Sequence, residues 1–483
     1  MKTNLNYLFI LTMVALLGVV GCKKDEPAGN NDTNLVSELS YDVIYDWNNL
    51  FLDLNKDALG YRPGPSPRAL AYMSLAAYEV CIPGMPRYNS MRHQFPGLKL
   101  PEFGGWKDIN WAIAVNESYA YLVNRLHEKV NWYPGHTSAP EVNAKIEHLR
   151  ERLEAKYKEN LSESALNNSK AWGQDIAKAM FDWASTDEYG HEAYLNPLNN
   201  DPSKKFYYDW KKNALDANGN VIPGKWHPTN DNPDGSMFPY WGKVRTFATE
   251  ETQKLCRPIP IKYSEDPRSS YYNQAMDAYS KTIPAITYED EWIAEFWSDD
   301  LAGLTFSPPT RLMAIYNQIM KLEDYNLEEV AVSVAKIGLT LNDCAVVCWN
   351  SKYHYNLERP ESYIKRVIDP NWEPHLYDPL TGEKGITPSF PAYPSGHSTF
   401  GGGGGEVLAH IVGTDSYSFT DNCHKNRTEF NGAPRSFDSF SECGLENAYS
   451  RIPLGVHWLM DCTEGTRLGR EVARRVIALP WEK

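Results

Sequence analysis

The chain has 483 residues, of which 42% are hydrophobic, and its formal net charge at pH 7 is −14. This length and composition are typical of a globular protein with one large domain or two to three ordinary ones. The acidic balance, without a basic tail or a stripe of Lys and Arg, argues against nucleic acid and anionic membrane surfaces as partners.

The first predicted element is an apolar run at residues 7–20, preceded by one lysine and followed by Gly21 and Cys22. The run is short for a membrane span and has the layout of a signal peptide. Residues 19–22 read VVGC and resemble a bacterial lipobox, in which the cysteine is lipidated and becomes the mature N-terminus. We therefore predict a lipoprotein signal peptide at residues 1–22, lipidation at Cys22 and a flexible tether at residues 23–36. An ordinary signal peptide or a short anchor helix is the alternative.

This N-terminal pattern predicts an exported protein whose membrane contact is a lipid anchor, in the outer membrane and facing the periplasm or the surface. No further apolar run of about 18 residues is apparent, so we expect no other membrane span. Seven cysteines remain beyond Cys22, an odd number, so at least one thiol should stay free. Cys423 and Cys443 flank a loop rich in Gly, Ser and Asn and could pair.

Helical periodicity dominates the rest of the chain. It predicts helices at residues 37–57, 68–80, 106–130, 140–158, 162–185, 269–281, 289–304, 310–320, 327–349, 397–411 and 456–479. Residues 187–260 are dense in Gly, Pro, Asn, Asp and Trp, which predicts a long ordered loop excursion with one hairpin at residues 216–220. No strong strand pattern and no internal repeat emerge. We therefore predict a mainly α fold, a helical bundle in which residues 37–483 form a single domain.

Three short segments within residues 349–461 carry residue types suited to oxyanion chemistry. They contain Lys352 with Arg359-Pro360, then Pro394-Ser395-Gly396-His397, then Ser450-Arg451 with His457 and Asp461. An oxyanion requires fixed cations, and the planar fork of arginine matches two of its oxygens, so the lysine and the two arginines are candidates. A serine hydroxyl and a glycine amide at the start of a helix can donate to further oxygens.

The two histidines of these segments are candidates for the reacting groups. A neutral imidazole can act as nucleophile or ligand, the role we assign to His457, and a second histidine, His397, can move protons. Asp461 lies one helical turn after His457 and can fix its tautomer. Taken singly, each motif is more often a loop start, a helix cap or a structural hydrogen bond. Together and in this order they predict one active site.

The pattern K-x6-R-P, P-S-G-H and S-R-x5-H-x3-D is similar to the signature of the superfamily that joins type 2 phosphatidic acid phosphatases, bacterial acid phosphatases and vanadium-dependent haloperoxidases. The membrane lipid phosphatases of this superfamily have several transmembrane helices, and its soluble acid phosphatases are much shorter than this chain. Residues 390–402 (FPAYPSGHSTFGG) and 450–458 (SRIPLGVHW) resemble the vanadium chloroperoxidase branch most closely. The resemblance implies the mainly α bundle of that family.

The resemblance also implies roles for individual residues. Vanadate, or phosphate in the same site, would be held at its equatorial oxygens by Lys352, Arg359, Ser395, Gly396 and Arg451. His457 would be the axial ligand to the metal, and His397 would bond the apical oxygen and assist protonation of peroxide. Trp349 and Phe390 would line the halide pocket, unless they are plain core aromatics, and Asp300 would be a supporting carboxylate.

The activity implied by the resemblance is oxidation of halide by hydrogen peroxide at a bound vanadate. The alternative is hydrolysis of phosphate monoesters through a phosphohistidine at His457, with His397 protonating the leaving alcohol. A third class, a surface protein that only binds or scaffolds, leaves the paired histidines unexplained. The expected partners are therefore small molecules, and the oligomeric state is left open.

Overall fold

The computed structural model describes residues 34–106, 108–229, 235–282 and 285–483, and residues 34–483 form one compact unit. The predicted signal peptide, Cys22 and nearly all of the predicted tether lie outside the described residues. The described residues contain fourteen α-helices and one antiparallel pair of short strands. The helices are α1 Asp42–Asp57, α2 Pro65–Cys81, α3 Trp111–His127, α4 Ala139–Tyr157, α5 Glu163–Ser185, α6 Lys211–Ala214, α7 Ser270–Thr282, α8 Tyr288–Phe296, α9 Arg311–Met320, α10 Leu327–Tyr355, α11 Pro360–Val367, α12 Gly396–Val412, α13 Phe440–Tyr449 and α14 Leu459–Ile477, and the strands are β1 Phe419–Asp421 and β2 Arg435–Phe437.

The mainly α prediction is confirmed, and most helix boundaries lie within a few residues of those predicted. The helix predicted at residues 289–304 was wrong in its second half, because α8 ends at Phe296 and a loop follows. Helix α10 runs past Trp349 to Tyr355 and ends where Asn356 adopts a left-handed conformation with φ of 51°. The short helices α6, α11 and α13 and the strand pair were not predicted.

Helix α10 is the central helix of the fold. It packs against α2, α12 and α14, and nearly every side chain along it is buried. By length and composition it could cross a membrane, although no such span was predicted, but 94% of its most apolar stretch is buried inside the protein. A helix that is hydrophobic all round and enclosed by other helices is a core helix.

Helix α12 contains five consecutive glycines, Gly401–Gly405, although glycine costs about 0.5–1 kcal/mol relative to alanine in a helix. Neighbouring elements explain this composition. A Cβ atom at Gly402 would overlap the Thr466 carbonyl of α14, and one at Gly404 would overlap the Leu312 side chain of α9. The glycines therefore let α12 lie in backbone contact with its neighbours, and this fixes where its N-terminus lies.

Helix α10 anchors the described part of the long excursion, residues 187–229 and 235–260. The buried carboxylate of Asp343 accepts the backbone N–H groups of Phe247, Ala248 and Thr249 at 2.9, 2.9 and 3.0 Å. At the predicted hairpin, the backbone N–H of residue 216 donates to the carbonyl of residue 220 at 2.9 Å. The seven cysteines of the described residues are all free, so the suggested pairing of 423 with 443 is absent.

Candidate active site

The structure brings the three predicted segments together around one cavity of about 200 Å³. The end of α10, the start of α11, the N-terminus of α12 and the segment between α13 and α14 each supply residues. The cavity is lined by Asp300, Trp349, Phe390, Gly396, His397, Arg451 and His457 among others. The remaining predicted residues, Lys352, Arg359, Ser395 and Asp461, are fully buried. We refer to Lys352, Arg359 and Arg451 as the cation cage.

Arg359 reaches the site from the residue that precedes α11. Its Nε donates to the Phe390 carbonyl at 2.9 Å, and its Nη1 donates to the Val456 carbonyl at 2.6 Å and lies 3.1 Å from Nε2 of His457. Its Nη2 has no hydrogen-bond partner among the described residues. Burial lowers the pKa of Arg359 to about 9, and nearby Arg451 contributes to the lowering. The guanidinium therefore retains an unused donor and a charge that favours an anion.

Lys352 is held differently from the two arginines. Its Nζ donates to the carbonyls of Pro391, Ala392 and Pro394 at 2.9, 3.0 and 2.6 Å. Burial lowers its pKa to about 7. An ammonium has three N–H donors, so this arrangement engages all of them with backbone carbonyls. In this conformation Lys352 contributes positive charge and orders the loop before Ser395, and does not donate into the cavity.

Arg451 lies in the cavity wall and is held by Asp300. Its Nη1 and Nη2 donate to the two oxygens of that carboxylate at 2.8 and 3.2 Å. Burial alone would raise the pKa of Asp300, but the charge of Arg451 lowers it overall. The Nε of Arg451 has no partner among the described residues. The supporting role predicted for Asp300 is consistent with this fork.

His457 and Asp461 form a buried pair. Nδ1 of His457 lies 2.9 Å from Oδ2 of Asp461, and the same oxygen accepts the backbone N–H of Trp458 at 3.1 Å. Burial and the cations of the cage keep the pKa of His457 well below its usual value, so the ring is neutral. Burial raises the pKa of Asp461 to about 7. Nδ1 carries the proton that is donated to Asp461, which leaves the Nε2 lone pair directed toward the cage.

His397 lies on the second residue of α12. Its Nε2 is 3.2 Å from the Trp297 carbonyl, 3.4 Å from Nη1 of Arg451 and 3.9 Å from Oδ2 of Asp300. Burial, followed by the charge of Arg451, lowers the pKa of His397 to about 4. The imidazole is therefore neutral at pH 7. The Trp297 carbonyl comes from the loop after α8, so the error in that predicted helix concealed this contact.

The N-terminus of α12 completes the site. Ser395 caps the helix, and its Oγ accepts the backbone N–H of Ser398 at 3.3 Å. The next residue, Gly396, lies against the Trp349 ring, and an added Cβ would lie 3.4 Å from that ring. The first N–H groups of a helix have no partner within it and carry partial positive charge. The first N–H groups of α12 therefore add hydrogen-bond donors to the site.

The apolar wall is formed by the two predicted aromatic residues. The rings of Trp349 and Phe390 lie 4.9 Å apart, and the indole Nε1 of Trp349 donates to the Met237 carbonyl at 3.2 Å. Cζ of Arg359 lies 4.8 Å from the centre of the Phe390 ring. Through Met237 the long excursion also reaches the cavity.

Arg62 also lines the cavity and was not predicted as a site residue. It lies in the turn between α1 and α2, far along the chain from every other cation of the site. Its sequence context reads as a turn rich in Gly and Pro, and no spacing in the chain connects it to the C-terminal motifs. Only the packing of α2 against α10 could have indicated it.

Another buried arginine, which does not line the cavity, stabilises the same region. Arg311 of α9 donates through Nε to Asp421 at 2.9 Å and through Nη1 to Asp299 at 3.1 Å, and Asp299 lies 2.9 Å from Nε2 of His424. We call Arg311, Asp299, Asp421 and His424 the Arg311 cluster. Because Asp299 directly precedes Asp300, the cluster fixes the loop that holds both Arg451 and His397.

The donor set fits an oxyanion such as vanadate or phosphate. Arg359 Nη2 and Arg451 Nε are buried donors without partners, and the cage offers three cations against the carboxylates of Asp300 and Asp461. Buried polar groups are normally hydrogen-bonded, so unused donors that cluster around one site indicate a ligand. A helical bundle that holds such a cage beside a neutral histidine belongs to the class of helical oxyanion-binding enzymes.

Comparison with known proteins shows what the chain is similar to within that class. Residues 333–480 match the family model of the VCPO second helical-bundle domain. Vanadium chloroperoxidase of Curvularia inaequalis is 26% identical over 515 residues, covering 88% of this chain and 80% of that protein. Residues 333–480 thus form a vanadium haloperoxidase family domain, and the recognition made from the motifs is confirmed.

Solved structures agree with this assignment. The first bacterial vanadium-dependent iodoperoxidase superposes with a TM-score of 0.73 at 25% identity, over 91% of this chain and 96% of that one. A holo-type bacterial vanadium-dependent chloroperoxidase superposes with a TM-score of 0.60 at 14% identity, over 86% of this chain and 94% of that one, and supports the fold.

Proposed function

We propose that this protein is a vanadate-dependent haloperoxidase that uses hydrogen peroxide to oxidise halide. The observation that carries the proposal is the position of His457 between Asp461 and Arg359. Asp461 fixes its tautomer, and its Nε2 lone pair lies beside unused buried arginine donors. A neutral imidazole whose tautomer is fixed in this way can bind a metal through its other ring nitrogen. The similarity to vanadium chloroperoxidase over most of the chain supports vanadate as the oxyanion.

Each residue of the site would have a defined part in holding vanadate. Arg359 through Nη2 and Arg451 through Nε would donate to its oxygens, together with the hydroxyl of Ser395 and the amide of Gly396. Lys352 would contribute its charge, and His457 Nε2 would be the ligand to vanadium. Vanadate, when bound, supplies Lewis-acid activation of hydrogen peroxide toward halide.

The other side chains would exclude water and move protons. Because Nε2 of His397 faces the Trp297 carbonyl, Nδ1 is the ring nitrogen available to accept a proton from the cavity. The neutral state of His397 at pH 7 suits it to act first as a base and then as an acid. Trp349 and Phe390 give the cavity an apolar wall, which strengthens the electrostatic interactions inside it.

The test compares two assays on the same purified protein. After reconstitution with orthovanadate, we expect bromination of a phenol dye that depends on both peroxide and bromide, and vanadium bound in metal analysis. His457→Ala should abolish bromination, whereas His354→Ala, at an exposed histidine of α10, should not change it. Asp461→Asn should weaken vanadate binding by about 10–100-fold.

A second assay measures phosphate release from a nitrophenyl ester. Phosphate release that requires His457, without any dye bromination, would contradict the haloperoxidase proposal and support the phosphatase alternative. Failure of both assays in a folded protein would leave only a binding role.

We also propose that the protein is exported and lipid-anchored through Cys22. Support comes only from the sequence of residues 1–22, in which an apolar run is followed by the lipobox-like ending. In the expressed full chain, Cys22→Ser should move the protein from the detergent phase to the aqueous phase on Triton X-114 partition. Equal partition of both proteins would contradict the anchor.

A further inference from the structure

Arg62 is a buried cation in the cavity wall with unused donors. Its side chain is 8% exposed, and its Nη1 donates to the Lys56 carbonyl at 3.3 Å. Nε and Nη2 have no hydrogen-bond partner among the described residues. Burial lowers the pKa of Arg62 only to about 10, and the nearby Asp299 favours its charged form. The guanidinium is therefore charged at pH 7, and two of its buried nitrogen donors, Nε and Nη2, are unused.

The charges that line the cavity leave Arg62 without a carboxylate partner. The lining contains one carboxylate, Asp300, and both of its oxygens are bonded to Arg451. The two histidines of the lining are neutral, for the reasons given above. Among the described residues, no carboxylate oxygen forms an ion pair with Arg62. The wall of the cavity thus has one positive charge in excess, separate from the unused donors of Arg359 and Arg451.

The surroundings of Arg62 are apolar. Pro63, Leu301, Pro308, Leu376 and Ile386 line the same cavity. A buried, unpaired guanidinium is costly unless a ligand satisfies it. One excess charge and an apolar wall suit a monovalent anion that loses its hydration at low cost. The guanidinium is itself weakly hydrated, which favours large anions over small ones.

We propose that Arg62 holds a halide ion through Nε and Nη2, in the same cavity as the oxyanion site and distinct from it. The proposal rests on the proposed function in one respect, since halide is the substrate of that reaction. It assigns to the segment before α2 the task of concentrating bromide or iodide beside the reacting centre. Fluoride should be excluded, because desolvation is most costly for the smallest ion.

The test measures halide binding without turnover. The full-length protein is saturated with inorganic phosphate, which occupies the oxyanion site, and the excess line width of ⁸¹Br is followed as bromide is titrated. We expect wild-type protein to broaden the bromide signal and Arg62→Gln to weaken bromide affinity by about tenfold, as loss of a charge-assisted contact implies. Arg62→Lys keeps the charge without the fork and should lie between them.

The matched control is Arg68→Gln. Arg68 is a buried arginine of α2, but its Nε is bonded to Asp187 and it does not line this cavity. It should leave bromide broadening unchanged. Phosphate affinity and near-ultraviolet circular dichroism establish that each variant is folded, and Arg62→Lys serves if Arg62→Gln does not fold.

Two outcomes would overturn the proposal. One is a phosphate-loaded wild-type protein that does not broaden bromide, and the other is an Arg62 variant that broadens it as strongly as wild type. Because no turnover is involved, these results are independent of the dye assay. Bromide binding that is lost in Arg62→Gln, in a protein without haloperoxidase activity, would keep the anion site and reject the proposed function.

Discussion

The cation cage and the Arg311 cluster are two fully buried charged groups in one molecule, and they differ in what neutralises their cations. In the cluster, Arg311 bonds two carboxylates, those of Asp299 and Asp421. In the cage, both oxygens of Asp300 accept from Arg451, and Arg359 bonds carbonyls and a neutral histidine.

The pKa values show the consequence of this difference. Burial lowers the pKa of Arg359 to about 9, whereas two adjacent carboxylates outweigh burial and raise the pKa of Arg311 above its usual value. A buried cation that is paired within the protein has a structural role. A buried cation with too few carboxylate partners can bind an external anion. The number of carboxylate partners therefore distinguishes a structural cation from one in a binding site.

The largest expected effect is on the cluster. Arg311→Met leaves the buried carboxylates of Asp299 and Asp421 without their cation and should lower the free energy of unfolding by about 3–5 kcal/mol in urea titrations. As a control, Arg474→Met removes an exposed arginine that pairs with Glu406, and it should cost less than about 1 kcal/mol. A loss below about 1 kcal/mol for Arg311→Met as well would show that the cluster is not held by its charges.

The second prediction concerns the dependence of stability on pH. The pKa of His397 is about 4 in the folded protein and 6.5 in the unfolded chain. As pH falls below 6.5 the unfolded chain gains a proton that the folded protein does not, so this stabilisation is complete above pH 6.5 and is lost by about pH 4. The loss should amount to about 3 kcal/mol. His397→Asn should flatten this part of the unfolding free energy curve.

His127 provides the control for this measurement. It is a buried histidine of α3 whose pKa burial also lowers to about 4. Saturating phosphate should reduce the slope in wild type and in His127→Asn, and should reduce it less in His397→Asn, because His397 and His457 line the anion cavity and His127 does not. Equal responses of both variants to phosphate would remove His397 from the anion site.

The third prediction concerns the gain in unfolding free energy when an anion binds to the cage. Orthovanadate at about 100 times its dissociation constant should raise the free energy of unfolding by about 2.7 kcal/mol. At the same vanadate concentration Arg359→Gln should lose most of this gain. Arg366→Gln should retain it, because that arginine of α11 is bonded to Glu358 and not to the cage. Urea unfolding with and without vanadate measures all three proteins. A full gain in Arg359→Gln would show that the cage does not bind the anion.

The smallest expected effect on stability comes from removing a neutral hydrogen-bond donor to the Arg311 cluster. Nε2 of Gln318 donates to Oδ1 of Asp421 at 3.2 Å, while Arg311 bonds the other oxygen. Gln318→Leu should therefore cost only about 1 kcal/mol in urea unfolding. A loss as large as that of Arg311→Met would mean that Gln318, rather than the arginine, sustains the carboxylate.

The sequence predicted the parts of the site that are encoded by local spacing. Lys352 and Arg359 follow one another across a helix end, Ser395 caps a helix, and Asp461 lies one turn beyond His457, so each relation is set within a few residues. Asp300 was reached through the family resemblance. These side chains do converge in the structure, and their individual roles remain proposals.

The parts that could not be predicted depend on tertiary packing. Arg62 arrives from the N-terminal half because α2 packs against α10, and no local pattern records that contact. Lys352 was predicted as a donor to the anion, but three carbonyls of the following loop surround its ammonium. Trp297 continues an apolar helical pattern, yet the chain leaves the helix there, since the buried Asp299 has to reach Arg311.

The glycine run of α12 has a consequence for engineering the enzyme. Replacing glycine by alanine in a helix is a common way to stabilise a protein. That route is closed for Gly402 and Gly404, where a methyl group has no room, so α12 cannot be reinforced in this way without moving the amide of Gly396. Changes that aim at a new substrate range are better placed at Met237 and at residues 386–389, which line the cavity outside the helices.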